Sequence, residues 1–120
     1  MSKISIFVCM PGNKDCARVD SQIYVPVYGG NALQRGKDSG IAGDDTGDNI
    51  SAKNPGYCEE TVLYWAWKNR RADYYGFCHY RRYFDFAEEK HEKDCYGNII
   101  EKYINEESVS KYGLKSLDFQ

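Results

Sequence analysis

From Asp44 to Phe84 the chain passes from a polar, acidic loop through an aromatic segment at helical spacing to a short apolar run, then into Cys78-His79-Tyr80-Arg81-Arg82. That order limits the fold more than any other feature. A loop (Asp44 to Asn54), a helix (Pro55 to Arg70) and a strand (Asp73 to Phe77) in succession are the second half of a βαβ unit, and α/β proteins hold ligands where such strands end. Asn54 before Pro55 is a helix start, with Asn as N-cap and Pro at the first helical position. Glu59 and Glu60 suit the positive end of the helix dipole, and Lys68, Arg70 and Arg71 suit the negative end. Val62 to Trp67 is apolar nearly all round, so protein should flank this helix on more than one side.

A helix of this kind needs a sheet to pack on. Ile4 to Cys9 (ISIFVC), continuous and β-branched and bounded by Pro11-Gly12-Asn13, reads as a first strand buried on both faces. Tyr74 to Phe77 then runs parallel to it, joined through the helix by a crossover. Ile23 to Tyr28 is strand-like, but Pro26 cannot donate to a ladder and assigns the piece to an edge or an extended segment. Asn13 to Asp20 is polar and reads as loop or a short helical turn.

Gly29 to Asp48 carries six glycines, with Asp38, Asp44, Asp45 and Asp48 added to the earlier Asp20, and should be irregular. A stretch of that length without structure, inside a compact domain, is a functional loop, assigned to residues 29–54, or else a disordered segment or a surface loop with no role. After Phe84 the pattern fades. Glu88 to Asp94 is charged, Tyr96-Gly97-Asn98 reads as a turn, and Ile99 to Ile104 and Val109 to Phe119 hold too few core residues to define elements. Residues 85–120 are therefore a tail of unassigned structure. The whole chain of 120 residues fits a single small domain.

Charge and cysteine usage exclude several classes. A formal charge of −2 lacks the basic footprint of a nucleic-acid binder. Locally, Lys53 to Arg82 holds six Lys or Arg against three acids, whereas Asp85 to Glu107 holds eight acids against three Lys. Either these are two solvated faces, or an anion-binding patch precedes an acidic tail. Five cysteines, at 9, 16, 58, 78 and 95, form no C-x-x-C pair; they fit reduced thiols in a cytoplasmic setting rather than a disulfide framework or zinc site. The apolar run Ile4 to Met10 is too short for a signal peptide or a membrane span, so membrane work is confined to the surface. Eleven Tyr against five Phe bring hydroxyls that need partners, which clefts tolerate better than dry cores.

Two polar ends carry the candidate chemistry. Asp44-Asp45-Thr46-Gly47-Asp48-Asn49 has acids around a Gly but lacks the spacing of a calcium loop. Its side chains either bond to their own backbone and the helix start, or accept hydroxyls of a sugar or ribose, with Asn49, Ser51 and Asn54 able to donate as well. At the other end, strand alternation past Phe77 would send His79 and Arg81 to one side and Tyr80 and Arg82 to the other. An arginine fork can hold phosphate and a neighbouring imidazole can donate or move a proton. The alternatives are a satisfied core histidine and an ion pair between Arg81 and a loop aspartate. Cys78 would point away from His79, against a catalytic thiol.

GDNISAKNPGYCEETVLYWAWKN followed by DYYGFCHYRRYF resembles the domain of unknown function found in bacterial capsular and exopolysaccharide synthesis proteins, described as glycosyltransferases. The likeness covers about forty contiguous residues, and ISIFVC and IYVPVYGG resemble the family's N-terminal part. Departures are Met10-Pro11-Gly12-Asn13, where the family carries a Thr-His-Lys-like run, and Glu60, where an apolar residue is expected. The family's domain also runs to about twice this length, so the chain has the look of its N-terminal half, truncated or divergent after about Phe86.

The resemblance implies an α/β, GT-A-like (Rossmann-like) partial parallel sheet with a central aromatic helix. It implies transfer of a hexose from a nucleotide sugar, UDP-sugar favoured, to a saccharide or lipid-linked acceptor, in capsular, exopolysaccharide or O-antigen synthesis at the inner face of the membrane. The alternative is a truncated, non-catalytic carbohydrate- or nucleotide-binding module. His79 and Arg81 are the implied catalytic residues. Asp44, Asp45, Asp48, Asn49, Ser51, Lys53, Asn54, Tyr80 and Arg82 are the implied substrate-binding residues. No cofactor is implied firmly: many such enzymes hold a divalent metal with a D-x-D at this strand end, where the chain has His79-Tyr80-Arg81. Those groups are expected to replace the metal.

Overall fold

The computed structural model describes residues 2–19 and 21–114; Asp20 and the last part of the tail, 115–120, lie outside the described residues. Four parallel strands form one sheet in the order β3-β2-β1-β4: β1 Ile4–Met10, β2 Tyr24–Tyr28, β3 Ala42–Gly43 and β4 Tyr74–His79. The mixed α/β parallel sheet expected from the sequence is present. β1 lies inside it, with Ile6, Phe7 and Val8 at most 4% exposed. That is why its sequence is continuously apolar rather than alternating.

β2 is not an edge strand, contrary to expectation. It pairs with β1 over Tyr24–Tyr28 and with β3 only through Val27 and Tyr28. Gly29 N–H donates to Met10 O, so by alternation the nitrogen of Pro26 faces the β3 side, where β3 ends before reaching it. The missing donor therefore costs no ladder bond. β3 itself is a two-residue strand inside the glycine-rich segment, too short to leave a pattern in the sequence.

Two cores sandwich the sheet. On one face Phe7 and Val27 meet Val62, Trp65 and Ala66 of the aromatic helix. On the other, Ile6, Val8, Met10, Tyr24 and Tyr28 meet Val19 and three tail residues, Val109, Tyr112 and Leu114. The tail thus packs on the sheet through a short helix, α3 (Glu106–Lys111), whose N-cap Asn105 and Ser108 form a reciprocal capping box. The turn expected at Tyr96-Gly97-Asn98 is present, with Gly97 at φ +79°.

The aromatic helix is broken near its start. A 3-10 turn (Ser51–Lys53) leads into α1 (Asn54–Tyr57), and α2 runs from Glu60 to Asn69. Asn54 is not the N-cap. Cys58, at φ 51° and ψ −129°, interrupts the ladder between the two helices, and Asn54 Nδ2 bridges the break by donating to Cys58 O at 2.8 Å and Thr61 Oγ1 at 2.9 Å. Few non-glycine residues adopt such a backbone, so the surrounding bonds must hold it.

Candidate functional site

In this strand order the chain leaves β1 toward β2 and β3 and returns through α2 to β4 on β1's other side. The carboxyl ends of β1 and β4 therefore splay at a topological switch point, the usual place for a ligand in an open α/β sheet. An open cleft of about 330 Å³ lies there, lined among others by Cys9, Glu59, Val62, Phe77, His79 and Arg82. β1 supplies Cys9, β4 supplies Phe77 and His79, and α2 with its preceding residue supplies the carboxylate and Val62. The floor is apolar and the rim is charged.

His79 is the last residue of β4, paired with Cys9 of β1. Strand geometry ends with it. Tyr80 and Arg81 form a turn closed by Arg82 N–H donating to His79 O at 2.7 Å. The alternation that would have set Arg81 beside His79 thus stops one residue too soon: Arg82 lines the cleft, and Arg81 turns back with its guanidinium 5.2 Å from the Tyr80 ring centroid. Lys14 reaches the same ring, its Nζ 5.0 Å from the centroid, and the His79 and Tyr80 rings lie 4.4 Å apart. Cations and imidazole thus gather around one tyrosine.

That gathering acts on the imidazole. Burial, then Arg81, Arg82 and Lys14, hold the His79 pKa below its usual 6.5, with Glu59 alone opposing. At neutral pH the ring is therefore uncharged, able both to donate and to accept a proton, among guanidinium and ammonium groups that attract an anion. Burial also pushes the Cys9 thiol up to about 12, helped by Asp44, Glu59 and Cys58, and burial raises Cys78 to about 12. Neither is a thiolate nucleophile at neutral pH.

The aspartate-rich segment divides. Asp44 is fully buried and accepts four hydrogen bonds: Gly30 N–H (2.9 Å) and Thr61 Oγ1 (2.6 Å) on Oδ2, Asn31 N–H (3.0 Å) and Ser51 Oγ (2.5 Å) on Oδ1. It ties the end of β2, the 3-10 turn and the start of α2 together, behind the cleft wall. Gly30 is required in this knot: at φ +64°, its missing Cβ would stand 2.8 Å from Asn54 Cγ. Asn54 and Ser51 belong to the same network, since Ser51 Oγ also accepts from Ala32 N–H. Lys53 is exposed on the turn beside it.

The remaining loop residues run along the helix, away from His79. Trp65 Nε1 donates to Thr46 Oγ1 at 2.9 Å, Tyr64 OH to Asp48 Oδ1 at 2.8 Å, and Asn69 Nδ2 to Asp48 O at 2.8 Å. Asn69 stands nine residues past Glu60, which also lines the cleft, hence about 13 Å along the helix. Asn49 turns on itself, with Nδ2 donating to Gly47 O and Oδ1 accepting from Ser51 N–H, and Asp45 holds Asn31 Nδ2. The structure therefore brings His79, Tyr80, Arg81 and Arg82 together, sets Asp44, Ser51 and Asn54 behind them as framework, and leaves Asp45, Asp48 and Asn49 apart.

Glu59, Glu60 and Lys14 were not among the site residues read from the sequence. The helix-dipole argument accounted for both glutamates without placing them in a cleft, and Lys14 sits in a loop with no motif. Among the described residues no three His, Cys, Asp or Glu side chains converge, and the groups at the β4 end are imidazole and guanidinium, with Glu59 and Glu60 also lining the cleft. No helix among the described residues is long and apolar enough to cross a membrane.

Comparison with known proteins follows the same lines. The sequence profile described as "Domain of unknown function (DUF4422)" matches residues 5–115. The fold is similar to the apo structure of WbbM, a bifunctional glycosyltransferase, with a TM-score of 0.86 and 40% sequence identity over 95% of this chain and 20% of that chain. The chain thus spans about one fifth of that glycosyltransferase. No curated protein matches it.

Proposed function

The chain belongs to the DUF4422 family, and on that premise we propose that it is the nucleotide-sugar-binding part of a glycosyltransferase acting in surface polysaccharide assembly. The observation that carries this reading is the neutral His79 at the β1/β4 switch point, in an open cleft that Arg82 also lines, with Arg81 and Lys14 near enough to lower its pKa. A nucleotide sugar leaves its sugar by breaking the bond between the anomeric carbon and the diphosphate oxygen, and negative charge grows on that oxygen. Fixed cations aimed at it stabilise the transition state, because they need no reorganisation as the charge appears. Arg82 and Lys14 supply this neutralisation directly, as charge-assisted hydrogen bonds. His79 is placed to donate to a phosphate oxygen or take the proton of an incoming hydroxyl, with Glu59 across the cleft favouring the imidazolium that results.

UDP is the favoured nucleotide and a saccharide or lipid-linked acceptor the favoured partner, with a cytoplasmic site of action at the membrane's inner face. None of the described residues after Phe84 lines this cleft, which supports assigning donor binding rather than the whole transfer to these residues. A thermal-shift screen of UDP, GDP, CMP and dTDP sugars, with and without Mg²⁺ or Mn²⁺, tests the reading. A ligand that binds the folded state raises the melting temperature by mass action. A shift without metal supports it; no shift with any nucleotide, or a shift only with metal, counts against it.

A further inference from the structure

A second cleft, of about 190 Å³, opens at the carboxyl ends of β1 and β2 and is lined by Lys14, Asp15, Arg18, Tyr28 and Asp38 among others. Its Met10 and Tyr28 belong to the core opposite α2, so the two clefts flank β1 on opposite faces of the sheet. Lys14 joins them. It lines the second cleft, and its ammonium lies over the Tyr80 ring that contacts His79 in the first.

We propose that this second cleft is the subsite for the sugar of the nucleotide sugar, with the diphosphate held on the Lys14–Tyr80–His79 ridge and the nucleoside in the first cleft. This rests on the nucleotide-sugar reading above and divides its ligand among named residues. A nucleotide sugar has a doubly charged centre between two uncharged ends, and the protein presents Lys14 and Arg81 against the Tyr80 ring, beside the neutral His79, between two clefts. The clefts differ in chemistry. Phe77, Val62 and Phe84 give the first an apolar, aromatic floor that suits a planar base.

The second holds two carboxylates and two cations, balanced in charge. Arg18 pairs with Asp38 at 3.2 Å, and Asp38 is fixed by accepting from Gly40 N–H at 2.8 Å while its own N–H donates to Tyr28 OH at 3.1 Å. Such a wall carries no net charge to draw in a bare phosphate. It offers both acceptors and donors to a hydroxyl-rich ring, whose hydroxyls need both.

The test compares each nucleotide sugar with its own diphosphate: UDP-glucose and UDP-galactose against UDP, and GDP-mannose against GDP, by calorimetry on the intact chain. Asp15→Asn and Asp38→Asn keep side-chain shape and remove charge, and Asp15 is exposed, so that variant folds. The expected result is about a tenfold loss of affinity for the nucleotide sugar the parent binds best, with affinity for the diphosphate alone unchanged, as for hydrogen bonds lost from a charged acceptor. Equal losses for sugar nucleotide and diphosphate, or no loss for either, overturn the sugar subsite and leave the nucleotide reading standing. If the parent binds none of these nucleotides, the nucleotide reading fails and the subsite with it.

Discussion

Thr61 Oγ1 donates to Asp44 Oδ2 at 2.6 Å in a fully buried pair that links the start of α2 to the glycine-rich segment after β2. The hydroxyl in turn accepts from Asn54 Nδ2, so the bond closes a chain from the exposed helix break to the interior. Asp44→Ala leaves four donors facing an apolar gap and should cost about 3 kcal/mol, read as a lower urea midpoint. Thr61→Val removes one donor and should cost less, about 1 to 2 kcal/mol. A midpoint for Asp44→Ala equal to the parent's would show that the network is dispensable.

At the cleft, the turn that selects Arg82 over Arg81 makes an asymmetric prediction. Arg82→Ala should weaken nucleotide binding by about tenfold or more, the usual cost of a charge-assisted bond, and Arg81→Ala by less. The order reverses if alternation rather than the turn places the guanidinium that meets the ligand. Calorimetry on both variants distinguishes the two.

His79 has a stability consequence with a definite sign. Its folded pKa lies below the usual 6.5, because of burial and then Arg81, with Glu59 opposing and Arg82 and Lys14 adding to the depression. Below pH 6.5 the unfolded chain takes up the proton before the folded one, so the contribution is present above 6.5 and is lost as pH falls through the folded value. Melting temperature should fall across that window, and His79→Gln should flatten this part of the profile. In the intact protein an NMR titration of the ring should move upward in Arg81→Ala and downward in Glu59→Gln.

Cys9 and Cys78, both raised to about 12 chiefly by burial, should resist a disulfide reagent at pH 8 until the protein unfolds. Cys58 and Cys95 are exposed and should react in the native state. Mass spectrometry after a short pulse of reagent, with and without urea, assigns each thiol.

The helix break offers a backbone test. Cys58 at φ 51° occupies a region that costs non-glycine residues about 1 to 3 kcal/mol. Cys58→Gly should therefore raise stability by about 1 kcal/mol after the entropy it adds to the unfolded chain, and Cys58→Val should lower it. An unchanged or lower urea midpoint for the glycine variant would show that the backbone there is relaxed.

The sheet was legible where residues are buried on both faces, because burial leaves a continuous apolar run: Ile4–Cys9 was expected and Ile4–Met10 is found. Tyr74–His79 is an edge strand with no fully buried residue, and its apolar run was expected to end two residues earlier. β3 was hidden by its length. The helix break was hidden because Cys58 has no local signature and is held by Asn54 and Thr61 from either side. α3 was missed although Asn105-Glu106-Glu107-Ser108 carries a cap pattern, since its partner surface lies about a hundred residues away on β1. In the site, residue types at the β4 end were readable, but which arginine shares the cleft depends on a turn. Which aspartates stay near His79 depends on Trp65 and Tyr64 drawing the loop down the helix.

β1 has consequences for how the chain is made. Its flank against β4 waits for residues 74–79, made some seventy positions later. Until then ISIFVCM, uncharged and free of proline, emerges as an exposed strand with the composition of an aggregating segment. Parallel partners so distant in sequence also make closure slow. Expression at low temperature or with chaperones should favour soluble product, and a charge introduced in this strand to prevent clumping would be introduced at the centre of the finished sheet.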